Sequence, residues 1–122
     1  MNTDLIVKIV QPPYVKDKKW YIRVHLDADD AKRIYDFENN YKISHSDFSF
    51  QHSIYNEILV IKLPFRYKKF ECTVYDSDGD FSSCYELKGD EMVNISLIHA
   101  GFSVQNENHI LSTWKSKMIR KI

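Results

Sequence analysis

Three separated stretches of this chain alternate apolar and polar residues with a period of two, and that repetition constrains the fold more than any other feature. In Trp20-Tyr21-Ile22-Arg23-Val24-His25-Leu26 it puts Trp20, Ile22, Val24 and Leu26 on one face of a strand, with Tyr21, Arg23 and His25 on the other. Phe70, Cys72 and Val74 repeat the pattern, as do Val93, Ile95 and Leu97. Residues 57–63 are nearly all β-branched or leucine and read as a central strand stopped by Pro64. Residues 5–10 read as a first strand. Pro12-Pro13 ends it, because proline fixes its own dihedral and restricts its predecessor.

One segment changes period. Ala31, Ile34, Phe37 and Tyr41 recur three or four apart behind Asp27, Asp29 and Asp30, which suit a helix N-terminus, so a helix is predicted near residues 28–41. Residues 44–55 show no clean period and read as a ragged strand or loop. Asp76-Ser77-Asp78-Gly79 has turn chemistry; a three-residue loop there sets Cys72 opposite Cys84, whereas a two-residue loop puts them on opposite faces. Residues 110–122 fit a helical stripe through Leu111, Trp114, Met118 and Ile122. They also fit a strand with Trp114, Ser116 and Met118 facing away from the lysines, and in a chain made mostly of strands the strand is the favoured reading.

A chain of 122 residues with 43% hydrophobic and 14% aromatic content can bury one core, so a single, mainly β domain over residues 1–122 is expected. Seventeen basic and seventeen acidic residues cancel, which argues against a histone-like polycation but leaves the placement of charge open. No cofactor or metal is expected. Cys72 and Cys84 are too few for a metal framework, and the five histidines are not closely spaced. Asp76-x-Asp78-x-Asp80 begins like a calcium loop, yet Phe81 stands where that loop needs glycine and Leu87 where it needs a bidentate glutamate. With no nucleophile elbow and no glycine-rich phosphate loop, the protein is expected not to be an enzyme. A scattered site would need a deep pocket lined by several of His25, His45, His52 and aspartate and serine residues. The polar start Met1-Asn2-Thr3-Asp4 and the absence of a long apolar run predict an intracellular protein without a membrane partner.

The charge balance conceals segregation. Cations interleave with aromatic residues in residues 16–23, 62–70 and 114–121, while acids gather in residues 27–38 and 76–91. Single-stranded nucleic acid is bound by that combination, since lysine and arginine neutralise phosphates and flat rings stack on unpaired bases. The candidate contacts are Lys19, Tyr21, Arg23, Arg66, Tyr67, Lys68, Lys69, Lys115 and Lys117, with Tyr21 and Tyr67 as stacking rings. Trp20, Phe70 and Trp114 read as core. On the alternative reading, the lysines only solubilise or protect strand edges.

The phrase Ile61-Lys62-Leu63-Pro64-Phe65-Arg66-Tyr67-Lys68-Lys69-Phe70, the Asp-Gly hairpin, Leu87-Lys88-Gly89-Asp90-Glu91-Met92-Val93 and a closing Trp114-Lys115 together carry a resemblance. From residue 59 onward the chain resembles the oligonucleotide-binding-fold single-stranded DNA-binding proteins of large DNA viruses and phages. The resemblance implies a small five-stranded barrel with one inserted helix near residues 28–41. It also implies Arg66, Tyr67, Lys68, Lys69 and Lys115 along the path of a single strand, DNA in the leading reading. The implied setting is an infected host cell or a virion, with other replication or virion proteins as further partners. The rival is a viral structural or protein-interaction module on the same fold, docking by strand addition.

Overall fold

Alternation in the sequence becomes strands in space. The computed structural model describes residues 1–106 and 108–122. In chain order its elements are β1 (Asn2–Lys16), β2 (Lys19–His25), α1 (Ala28–Ser44), β3 (Ser49–Gln51), β4 (Ile54–Tyr55), β5 (Ile58–Lys62), β6 (Phe65–Arg66), β7 (Lys69–Phe70), β8 (Thr73–Tyr75), β9 (Phe81–Ser82), β10 (Met92–Gln105) and β11 (His109–Lys121). Strands β5, β2, β1, β10 and β11 lie side by side in that order with antiparallel neighbours, and the sheet closes where β11 meets β5 in parallel at Lys115 and Lys62. The result is a five-stranded mixed barrel with one helix, of the oligonucleotide-binding type.

The barrel is filled by the alternating residues. Leu5, Val7 and Ile9 from β1, Ile22 and Val24 from β2, and Leu59 and Ile61 from β5 meet Val93, Ile95 and Leu97 from β10 and Trp114 and Ile119 from β11. Each such side chain contributes about 1.5–3 kcal/mol by leaving water. Trp20 and Phe70, both partly buried, pack against this core. The segment read as strand is β11, with Trp114 and Ser116 inside and Lys117 outside; the register shift after Ser116 puts Ile119 in the core where Met118 was expected.

Two expectations about strand boundaries are corrected. Pro12-Pro13 does not end β1, which continues to Lys16; the ladder with β2 shifts register between Ile9 and Gln11 and again between Gln11 and Tyr14, so the prolines sit in an irregularity where no ladder hydrogen bond is required of them. Residues 69–75 do not form one strand. Lys69 and Phe70 pair back onto Arg66 and Phe65 in a separate hairpin, and Thr73–Tyr75 joins β11 instead. The break falls at Glu71, whose N–H donates to the carbonyl of Pro64.

Helix α1 begins as its acidic start predicts, with Asp27 accepting from the N–H of Asp30 at 2.8 Å, and runs to Ser44, slightly beyond the expected end. Ala31 and Ile34 are buried. Glu38, on the same face, is buried too. Its carboxylate accepts from Trp114 Nε1 at 2.9 Å, Ser53 Oγ at 2.5 Å, Ser53 N at 3.2 Å and His52 Nδ1 at 3.1 Å, which ties helix, barrel and the β3–β4 connection together. Nothing in the spacing of apolar residues pointed to it.

At the Asp-Gly turn the ladder pairs Val74 with Ser82 and Tyr75 with Phe81, and Asp76 N donates to Asp80 O, the register of a three-residue loop. Gly79 takes φ +86°, a conformation that favours glycine. Asp76 spends its carboxylate on the N–H groups of Asp78 and Asp80, an ordinary turn arrangement. Cys72 and Cys84 meet as this register requires, the Cys84 thiol donating to the Cys72 carbonyl at 3.6 Å; both are buried and reduced. Among the described residues no helix is long and apolar enough to cross a membrane.

Candidate nucleic-acid interface

The three cationic segments converge because strand register brings them together. Tyr14 on β1 stands opposite Tyr21 on β2, Tyr21 opposite Lys62 on β5, and Lys62 opposite Lys115 on β11. These four residues form one row across four strands. Side chains two apart share a face, so Lys19 and Arg23 flank Tyr21 on the same outer surface, and Lys16 pairs with Lys19.

That surface is concave. A depression of about 660 Å³ is bordered by Lys16, Lys19, Arg23 and Lys62 and by the rings of Tyr14, Tyr21, Tyr55 and Phe102. A second, of about 350 Å³, is bordered by Lys62, Arg66, Lys115 and Lys117 together with Phe65. Lys62, Ala100 and Thr113 line both, so the two form one continuous groove. Among the described residues its walls carry seven cationic side chains against two acids, Asp17 and Glu71, in a chain whose net charge is zero. Lys117 and Ala100 reach it from bulges, since the β10–β11 ladder steps from Ser96–Met118 to Leu97–Ser116 and from His99–Trp114 to Gly101–Thr113.

The electrostatics follow from this crowding. Burial and the nearby Lys19 and Lys115 push the Lys62 ammonium below the ordinary lysine range. Of the seven cations, Arg66 is near an acid, with Nε 3.7 Å from Glu71; among the described residues the others make no ion pair. Burial raises the Tyr14 and Tyr21 phenols, with Asp17 adding to the second. Their centroids lie 5.9 Å apart.

Of the residues expected from sequence, Lys19, Tyr21, Arg23, Arg66, Lys115 and Lys117 line this groove. Tyr67, Lys68 and Lys69 do not. They occupy the tip and returning strand of the β6–β7 hairpin beside it, where Tyr67 is 87% exposed. Tyr14, Lys16, Tyr55, Lys62 and Phe102 line the groove without having been singled out. Of the three histidines a scattered catalytic site would gather, His52 alone borders it. His25 lies beside Glu57, and His45 stacks on Tyr41.

The whole chain superposes on phage proteins. The single-stranded DNA-binding protein of bacteriophage Enc34, solved in complex with single-stranded DNA, matches with a TM-score of 0.63 at 11% identity, over 99% of this chain and 85% of that one. The fold is that of phage single-stranded DNA-binding proteins. The T7 protein gp2.5, also a single-stranded DNA-binding protein, matches with a TM-score of 0.60 at 8% identity, over 99% of this chain and 91% of its own. No family model and no curated protein sequence matches the chain. The structural match therefore covers the N-terminal strands as well as the residues from 59 onward.

The hairpin beside the groove is locally unfavourable. Tyr67 and Lys68 both take positive φ, 54° and 62°, in a two-residue turn that favours Asn-Gly. Replacing Tyr67-Lys68 by Asn-Gly should raise stability by about 1 kcal/mol. If the hairpin touches the strand, the same change weakens oligonucleotide binding, which a thermal melt and a titration on one sample would show.

Proposed function

We propose that this protein binds single-stranded DNA along the groove formed by β1, β2, β5, β10 and β11, without catalysing a reaction. The observation that carries this reading is the continuous concave surface that gathers seven cations and several rings from sequence-distant strands. Lysine and arginine supply affinity through phosphates, and rings supply stacking that tolerates any base, so little sequence preference is expected. The shared fold with the Enc34 protein, whose structure holds single-stranded DNA, supports the same reading.

Fluorescence anisotropy with a labelled oligonucleotide at several salt concentrations tests it. If four or five phosphates are neutralised, log K should fall with log[salt] at a slope of about −3, so doubling the salt weakens binding roughly eightfold. Absence of binding at low salt, or affinity indifferent to salt, would overturn the proposal.

A further inference from the structure

Resting on that reading, we infer that the groove divides the nucleotide between its two depressions: bases stack in the larger one on Tyr14, Tyr21 and Tyr55, and phosphates run through the smaller one past Lys62, Lys115 and Lys117. The Tyr14–Tyr21–Lys62–Lys115 row carries the division, because two rings are followed by two ammonium groups on consecutive strands. Neighbouring strands lie about 4.7–4.9 Å apart. One step across the row therefore covers the scale that separates a base from its own phosphate, and the step from Tyr21 to Lys62 is where ring gives way to charge.

The rings divide in the same sense, while cations line both depressions. Tyr14, Tyr21, Tyr55 and Phe102 border the larger together with apolar Ile58, Val60 and Leu111 and with Lys16, Lys19 and Arg23. Lys62, Arg66, Lys115 and Lys117 border the smaller, where Phe65 is the one ring. Lys62 occupies the junction. Partial burial and like charges on either side disfavour its ammonium in the free protein, and a phosphate lodged there would offset the repulsion, so the site favours an anion.

The experiment compares two probes of equal length and equal phosphate number, an oligothymidylate and a fully abasic oligonucleotide. Tyr21→Ala should weaken the first about tenfold and the second less than twofold. Tyr21→Phe, which keeps a stacking face, should bind both like the parent. Tyr55→Ala removes an 80% exposed ring from the wall of the larger depression without touching the core, and should show the same selectivity as Tyr21→Ala. Lys62→Ala should weaken both probes about equally, by roughly fivefold, and flatten the salt slope by about 0.7. Tyrosine variants that weaken both probes alike, or a Lys62→Ala effect confined to oligothymidylate, would overturn the division while leaving DNA binding intact. Failure of the parent protein to bind either probe would instead remove the proposed function itself.

Discussion

Glu38→Ala should lower folding stability by about 3–5 kcal/mol and the thermal midpoint by roughly 10–20 °C. The side chain is wholly buried, and its carboxylate receives four hydrogen bonds, from Trp114, His52 and twice from Ser53. Alanine would leave the Trp114 indole N–H buried without an acceptor and would empty the space between α1 and β11, adding a desolvation penalty to a cavity. Domains of this size hold only about 5–15 kcal/mol in total, so the loss is a large fraction of it. Glu38→Gln discriminates shape from chemistry. The amide fills the same volume but turns an NH₂ toward groups that already donate, so it should recover only part of the loss. A Glu38→Gln protein as stable as the parent would mean that packing, not the hydrogen-bonded carboxylate, holds the helix on the barrel.

That network also shows where reading the residues in order stops working. Alternation in residues 20–26 and 93–97 is a direct print of strand geometry, and every apolar position it singled out there is buried or packed on the core. Helix α1 was equally legible, because an aspartate cap and apolar spacing are local properties. Glu38 was not, since its partners come from residues 52, 53 and 114, and only the closed barrel brings them together. The same holds for the groove. Lys19, Tyr21 and Arg23 could be placed on an outer face by alternation alone. Tyr14 was hidden behind two prolines taken as a strand end, whereas the register shift carries the strand through them. Lys62 lies within the run read as a central strand and opens the cationic stretch 62–70, yet it was not among the candidate contacts. Its importance comes from pairing with Tyr21 on one side and Lys115 on the other, a coincidence of register between strands about forty to fifty residues apart in the chain. Tyr67, Lys68 and Lys69 are exposed, but exposure at a hairpin tip does not put them in the groove.

Lys62→Glu should weaken single-stranded DNA binding about a hundredfold at low salt while leaving the fold as stable as before or a few degrees more so. The two effects have opposite signs because one residue causes both. In the free protein partial burial, and after it repulsion from Lys19 and Lys115, lowers the affinity of Lys62 for a proton. A glutamate there would exchange two repulsions for two attractions, worth about 0.5–1 kcal/mol for partly exposed pairs. Toward DNA the same change removes a phosphate contact at the junction of the two depressions and puts a negative charge in its place; a hundredfold loss corresponds to about 2.7 kcal/mol. Lys42→Glu provides the control, because it alters net charge equally at an exposed position in the last turn of α1, away from the groove. It should change affinity less than twofold. Equal losses from both variants would show that binding follows overall charge and not the convergence at Lys62, since a functional groove must depend on where each cation stands.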